Sequence, residues 1–232
     1  MPTKHAVFIL CVFLLCLPTV CDASTTQESF MSGKKSVKYD VYGKDSKGPI
    51  LILLHGASGP DVQLYREQAE YFAGKDYTVL MLHYFDASGS SMPNDQNYAI
   101  WVQAVNDLVH ECQKSSTWSN RKIVLMGLSL GASVALAAGS QRVSVGAIAD
   151  WYGSLPDEFL DILKGMPPLL ILHGKRDGVI PIINAQQLLR LCGIEKFTCE
   201  SHLYADQGHG FTGQALNDAD SRTLDFFSRM LK

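Results

Sequence analysis

The stretch that most constrains the fold of this chain is IVLMGLSLGASVALAAG, at positions 123–139. Its first four apolar residues predict a buried strand, and the alanine-rich run after Gly131 predicts a buried helix. Ser129 lies between Gly127 and Gly131, at the turn that joins the two. In so tight a turn, side chains at the flanking positions would collide with backbone, and the serine is expected to adopt a strained conformation. Its hydroxyl would then stand at the carboxyl edge of a sheet, above helix amides that stabilise negative charge.

Gly-x-Ser-x-Gly is a short pattern of common residues, and it also fits a plain turn before a core helix. A nucleophilic serine in this context needs an acid and a histidine downstream, in that order. Asp177 follows a predicted strand at 169–172, and His209 follows another at 200–204. Asp150, at the end of a predicted strand at 145–149, is a second candidate for the acid. Ser129, Asp177 and His209 each follow a different strand, so all three are expected at one edge of the sheet.

Predicted strands alternate with predicted helices along the whole chain. Apolar runs predict further buried strands at 50–54 and 78–82, and residues 37–42 alternate like a half-exposed edge strand. Helices are expected at 63–72, 96–114, 184–191 and near the end of the chain, where apolar residues recur at three- and four-residue spacing. This alternation predicts an α/β fold: one mostly parallel sheet with helices on both faces.

The first residues have the layout of a secretory signal peptide. Lys4 and His5 precede the apolar run 6–17, and small residues follow, up to Ala23. Cleavage after Ala23 would leave 209 residues (232 − 23), directed to the exterior or the periplasm. A lipid anchor on Cys21 is the alternative. Residues 24–36 are polar and are expected to form a flexible lead-in, followed by a single domain at 37–232.

Charge and cysteine content narrow the possible partners. The net charge is −3 without basic clusters, so nucleic acid is not expected as a partner. No apolar run after the signal is long enough to span a membrane. Cys112, Cys192 and Cys199 would remain after cleavage, and the last two could either form a short disulfide or stay as free thiols.

Five stretches together resemble the α/β-hydrolase fold, and within it the dienelactone hydrolase family. They are LLHGA (53–57), MGLSLG (126–131), DWYG (150–153), LILHGKRDGVIP (170–181) and GHGF (208–211). The resemblance implies an esterase or lactonase that uses Ser129, Asp177 and His209 as a triad. The sequence departs from the family at the nucleophile, because the enzymes that name the family resemble Gly-x-Cys-x-Gly there. This departure favours a general esterase over a hydrolase of dienelactone itself.

The remaining site residues follow from the chemistry of acyl transfer. Two amides must point at the developing oxyanion. The expected donors are Leu130, directly after the serine, and Ala57, in the glycine-containing loop after the strand at 50–54. Aromatic residues at strand ends are expected to wall the substrate pocket, although they could equally be core residues: Tyr84, Phe85, Trp151, Tyr152 and Phe211.

The sequence therefore predicts a serine hydrolase of small esters or lactones, with no metal and no organic cofactor. The connection between the strands that end near Asp150 and begin near Leu169 is too short for a large lid, so short-chain substrates are expected. A peptidase of the same fold and a non-catalytic binding module remain alternatives. The oligomeric state is left open.

Overall fold

A computed structural model describes residues 25–163 and 165–232. The predicted signal peptide at 1–23 lies outside the described residues, and its cleavage stays a prediction. Within the described part of the chain, no helix combines the length and apolar character needed to cross a membrane.

In the described residues, eight strands form one sheet in the order β1-β2-β4-β3-β5-β6-β7-β8. Neighbouring strands from β4 to β8 are parallel, whereas the pairs β1–β2 and β2–β4 are antiparallel. The predicted α/β architecture with a mostly parallel sheet is thus confirmed. The strands are β1 (Thr26–Ser32), β2 (Lys35–Tyr42), β3 (Ile50–Leu54), β4 (Thr78–Leu82), β5 (Ile123–Leu128), β6 (Ile148–Trp151), β7 (Leu169–Gly174) and β8 (Cys199–Tyr204).

Helices cover both faces of the sheet and create two apolar layers. Residues of β3, β4 and β5 are buried on both faces, which explains why these strands are continuous apolar runs. The helices are α1 (Gln63–Ala73), α2 (Phe85–Ser88), α3 (Asp95–Lys114), α4 (Leu130–Ser140), α5 (Ile183–Glu195) and α6 (Gly213–Met230), with a 3₁₀ helix at Asp157–Ile162. Every residue of α4 is buried, so its small side chains let it pack close to the sheet.

The expected flexible lead-in at 24–36 needs correction, because Thr26–Ser32 is an edge strand. It forms a hairpin with β2, in register from Thr26 opposite Val41 to Ser32 opposite Lys35. Gly33 has a φ of 55° in the turn, a conformation that suits glycine. The strand is polar because one face meets solvent, while Phe30 is buried against Tyr39 on the other. One inward-facing aromatic residue in an otherwise polar segment is too weak a pattern to predict a strand from the sequence.

Two details that the sequence left open or misplaced are resolved by the structure. Cys192 at the end of α5 is joined by a disulfide to Cys199, the first residue of β8, with 6.1 Å between their Cα atoms. Strand β6 begins and ends later than predicted, so Asp150 and Trp151 belong to the strand itself. Their side chains consequently point into the two sides of the sheet and are fully buried.

Candidate active site

Ser129 occupies the turn between β5 and α4 in a strained backbone conformation. Its φ is 55° and its ψ is −120°, outside the regions that side chains prefer. A Cβ atom on Gly127 would overlap the backbone of Gly131, and one on Gly131 would overlap the carbonyl oxygen of Leu54. The two glycines are therefore required by close backbone contacts, as the sequence pattern predicts.

A chain of hydrogen bonds joins the three residues that the sequence places at this edge. Ser129 Oγ lies 2.8 Å from Nε2 of His209, and Nδ1 of the same ring lies 2.8 Å from Oδ2 of Asp177. Because an ionised carboxylate can only accept, Nδ1 carries the ring proton, and Nε2 is left as the acceptor for the serine hydroxyl. This is the geometry that general-base activation of a serine requires.

The loop after β7 encloses the Asp177 carboxylate and forms hydrogen bonds to it. Its side chain is buried, and Oδ1 accepts hydrogen bonds of 2.8 Å from the amides of Val179 and Ile180. Nε2 of His173 donates to the carbonyl oxygen of Ile180 at 2.8 Å and lies 3.4 Å from Asp177 Oδ2. Burial lowers the pKa of His173, so this ring stays neutral and acts as a hydrogen-bond donor inside the loop.

His209 lies in the loop after β8, and its ring is packed against Tyr152. The two rings meet edge to face with 5.1 Å between their centres. Tyr152 has a φ of 48°, rare for a bulky residue, and its buried side chain also contacts Phe211. His209 itself remains partly exposed, with 22% of its side chain accessible to solvent.

The second candidate acid, Asp150, has different surroundings. It is fully buried, its Oδ1 accepts the amide proton of Gly153 at 2.8 Å, and its Oδ2 has no hydrogen-bond partner within the described residues. Burial raises the pKa of Asp150 to about 7. Asp206 is exposed and pairs with Arg176 at 2.8 Å. Of the three acids near this edge, it is Asp177 that contacts His209.

Leu130, one expected oxyanion donor, directly follows the serine, and Ala57, the other, lies in the loop after β3. Leu130 is the first residue of α4, where amides have no partner inside the helix. Ala57 is exposed in the turn after β3, and its amide makes no hydrogen bond to any described residue. The preceding Gly56 lies against the serine, because a Cβ atom on it would be 3.4 Å from the Cβ of Ser129.

The predicted aromatic wall needs correction for most of its members. Tyr84 and Trp151 have no accessible surface, and Tyr152 and Phe211 keep only 4% each. Tyr84 donates its hydroxyl proton to the carbonyl of His55, and the Trp151 indole donates to Thr223, so even their polar atoms are used inside the protein. These four rings belong to the buried apolar core beneath the loops at the strand ends. Phe85 alone is half-buried, and for this residue contact with substrate stays a prediction.

Comparison with known proteins identifies the family. Residues 39–231, most of the chain, match the dienelactone hydrolase family. The chain belongs to the dienelactone hydrolase family. Membership of this family makes the protein a carboxylic ester hydrolase, acting on esters or lactones. Comparison with curated proteins finds no match.

Solved structures similar to this dienelactone hydrolase family member share its fold at low sequence identity. Dienelactone hydrolase from Anabaena variabilis has a TM-score of 0.74 at 15% identity, over 90% of this chain and 99% of that chain. The Pyrococcus furiosus esterase Pf2001 has a TM-score of 0.74 at 16% identity, over 90% and 92%. Est1E from Butyrivibrio proteoclasticus has a TM-score of 0.70 at 13% identity, over 89% and 99%.

Two histidines that sequence reasoning treated only as loop braces prove to be specific hydrogen-bond donors in this family member. His55 and His173 each precede a glycine at the end of a strand, β3 and β7, and both are fully buried. His55 donates to the carbonyl of Gly56, in the loop beside the serine, and His173 donates to the carbonyl of Ile180, in the loop that holds Asp177. The repeated His-Gly pair at two strand ends was the signal that could have indicated this shared role.

Proposed function

We propose that this protein hydrolyses small carboxylic esters or lactones through an acyl-enzyme on Ser129, with His209 and Asp177 completing a triad. The observation that carries the proposal is the unbroken chain of two 2.8 Å hydrogen bonds from Ser129 through His209 to Asp177. The strained backbone of Ser129 adds support, because such strain is retained where function requires a side chain to be presented in one direction.

In the proposed first half-reaction, Ser129 Oγ attacks the ester carbonyl carbon while His209 Nε2 accepts the hydroxyl proton. The imidazolium that forms is stabilised by Asp177, which keeps its negative charge and holds the Nδ1 proton. The tetrahedral intermediate then collapses, and His209 returns the proton to the departing alkoxide. In a lactone the same bond breaks, but the alcohol stays attached to the acyl group.

In the second half-reaction, water attacks the acyl carbonyl and His209 accepts a proton from it. Collapse of the second tetrahedral intermediate breaks the bond to Ser129 Oγ, which regains its proton from His209. The carboxylic acid leaves and the enzyme is restored. No group beyond the three side chains and the amide donors is needed for the protons and bonds to balance.

The amides of Ala57 and Leu130 are proposed to stabilise the oxyanion of both tetrahedral intermediates. The location of Leu130 directly after Ser129, at a helix N-terminus where the helix dipole favours negative charge, supports this role. The contact of Gly56, the neighbour of Ala57, with Ser129 supports it as well. Removal of one such donor typically costs about 10²- to 10³-fold in kcat.

A small substrate is proposed because little chain is available for a lid. Residues 152–168 connect β6 to β7, and their only regular element in the described part is the short 3₁₀ helix at Asp157–Ile162. The aromatic rings near the site are mostly buried supports and cannot form a long acyl groove. We expect kcat/KM on p-nitrophenyl esters to be greatest at about two to four acyl carbons, since compact sites bury compact ligands. A maximum at twelve or more would contradict a small site.

The decisive experiment is active-site labelling with a fluorophosphonate, followed by peptide mass mapping. We expect the adduct on Ser129, and we expect Ser129→Ala to lose about 10⁶-fold in kcat, as for other triad serines. Ser221→Ala is the matched control, because Ser221 is exposed on α6, where its hydroxyl donates to the backbone carbonyl of Asn217. An adduct on any peptide that lacks Ser129 would refute the proposed nucleophile.

The acid is tested by a pair of amide substitutions. Asp177→Asn should lose about 10⁴-fold in kcat, because an amide in place of the carboxylate favours the wrong imidazole tautomer. Asp150→Asn should stay within about threefold of the wild type at neutral pH, since Asp150 does not contact His209. If the two variants changed places in severity, Asp177 would not be the triad acid.

A further inference from the structure

His55 lies directly after β3 and is enclosed by aromatic rings. Its imidazole stacks on Tyr84 with 4.4 Å between ring centres and 16° between planes, and Phe85 meets it edge-on at 4.8 Å. The residue has no accessible surface. A side chain in this position cannot touch a substrate, so any influence on the reaction must act through its neighbours.

The ring of His55 has one defined tautomer. Nδ1 lies 2.8 Å from the carbonyl oxygen of Gly56, and because a carbonyl only accepts, Nδ1 carries the proton. Nε2 is buried and has no hydrogen-bond partner within the described residues. Burial lowers the pKa of His55 to about 4, so the ring is neutral at neutral pH and its Nδ1 proton stays directed at Gly56.

The carbonyl that accepts this proton belongs to the same planar peptide unit as the amide of Ala57. The described peptide bonds are all trans, so the carbonyl of Gly56 and the N–H of Ala57 point in opposite directions. The amide of Gly59 donates to the same oxygen at 3.2 Å. Two donors thus hold the carbonyl on the inner side of the loop, which turns the Ala57 amide outward, where it has no partner among the described residues.

We propose that His55 is a positioning residue for the reaction: its Nδ1 proton fixes the Gly56–Ala57 peptide plane so that the Ala57 amide faces the oxyanion. The inference rests on the proposed function, in which Ala57 is an oxyanion donor. Its own evidence is the Nδ1 contact with Gly56, the absence of ring exposure and the free Ala57 amide.

Neighbouring contacts explain why the ring can hold the loop against the serine. The hydroxyl of Tyr84 donates to the backbone carbonyl of His55 at 2.8 Å, which fixes the preceding peptide plane as well. Gly131 of the serine turn touches the backbone of Leu54 and His55 so closely that no side chain would fit. The imidazole, the loop and the serine turn therefore form one packed unit, in which rotation of the Gly56–Ala57 plane changes the distance from the amide to the reacting carbonyl.

Loss of the Nδ1 donor should lower kcat more than it raises KM. An oxyanion contact strengthens as negative charge develops, so its misalignment mainly destabilises the transition state. The Gly59 amide would still hold the carbonyl, which makes the expected loss smaller than complete removal of a donor. We expect a decrease of about 10- to 100-fold in kcat, with KM within about threefold of the wild type.

Three substitutions separate this role from simple packing. In His55→Asn, the side-chain amide nitrogen can occupy the position of Nδ1 and donate to Gly56. In His55→Gln, the amide nitrogen reaches instead to the position of Nε2, and His55→Leu has no donor. We expect the kcat of His55→Asn to stay within about fivefold of the wild type, and the kcat of His55→Gln and of His55→Leu to fall about 10- to 100-fold.

A trifluoromethyl ketone gives a readout that a purely structural role would not change. It adds to the serine as a tetrahedral oxyanion, so its inhibition constant should rise across the variants in proportion to the fall in kcat/KM. Urea unfolding midpoints establish that each variant is folded. If Leu does not fold, the two polar variants decide the matter alone.

Equal kcat values for His55→Asn and His55→Gln would overturn the proposed role of His55, and so would a wild-type kcat in His55→Leu. Inhibition constants that stay constant while kcat falls would overturn it as well. These outcomes are distinct from failure of the proposed function. If Ser129→Ala remained active, the nucleophile would be wrong. If Ser129→Ala were inactive and the His55 variants all kept the wild-type kcat, only the inference about His55 would be lost.

Discussion

Asp150→Asn should stabilise the protein at alkaline pH, because it removes a buried charge without changing the size of the side chain. The carboxyl group is fully buried in β6, and within the described residues only the Gly153 amide bonds to it. Asparagine keeps the oxygen that accepts this proton. At acid pH, where Asp150 is protonated, the variant and the wild type should differ by no more than about 1 kcal/mol in the free energy of unfolding.

The magnitude follows from the pKa of Asp150, which burial raises from 3.8 to about 7. A raised pKa means that the folded state favours the protonated carboxyl group. Its stabilising contribution is present below pH 3.8 and is lost progressively as the pH rises to about 7. Each pKa unit corresponds to about 1.4 kcal/mol, so ionisation of Asp150 costs the folded wild type about 4 kcal/mol above that range. The asparagine variant does not bear this cost.

The assay is equilibrium urea unfolding of both proteins at several pH values from 4.5 to 8.5, under conditions that keep the disulfide intact. The quantity of interest is the difference in free energy of unfolding between variant and wild type at each pH, because contributions from other titrating groups cancel. We expect this difference to grow in favour of the variant by about 2 to 4 kcal/mol and to level off above about pH 8. A difference independent of pH, or one that shifts toward the wild type as the pH rises, would refute the reasoning.

Three further substitutions test the packing and the loops. Gly131→Ala should destabilise the fold by about 3 kcal/mol in urea unfolding and reduce kcat, because the new Cβ atom overlaps backbone. The control is Gly193→Ala in α5, where the space around the glycine is open. This variant should be more stable than the wild type by up to about 1 kcal/mol. Replacing both Cys192 and Cys199 by serine should lower the free energy of unfolding by about 2 kcal/mol, since the disulfide closes a loop with a sequence separation of 7. The kcat should stay unchanged, and a large loss of kcat would contradict a purely structural disulfide. His173→Leu should lower kcat about tenfold, because it removes the hydrogen-bond donor to the Asp177 loop. His173→Gln should retain most of the wild-type kcat, because its amide nitrogen can replace Nε2. Equal losses of kcat in the two variants would show that the hydrogen bond is not the cause.

Local patterns in the sequence were sufficient for the fold class and for placing Ser129, His209 and the two candidate acids, Asp150 and Asp177, at strand ends along one edge of the sheet. Alternating strand and helix signals predict a parallel sheet, because parallel neighbours need a long crossover connection and that connection is usually a helix. Ser129, Asp177 and His209 follow β5, β7 and β8, and parallel strands bring their carboxyl ends to one edge. The strained turn at Ser129 was also predictable, because its cause is the close approach of backbone next to two glycines.

Burial and pairing were decided only by the tertiary structure. Tyr84 and Trp151 stand next to strand ends, as wall residues would, yet packing against other elements removes them from solvent. The choice between Asp177 and Asp150 depends on which carboxylate reaches His209 across the sheet edge, a distance that neither local sequence encodes. The hairpin partner of Thr26–Ser32 likewise supplies hydrogen bonds that the polar segment does not display by itself. In each case the deciding contact joins residues that are distant in the chain, and its free energy exists only once the sheet has brought them together.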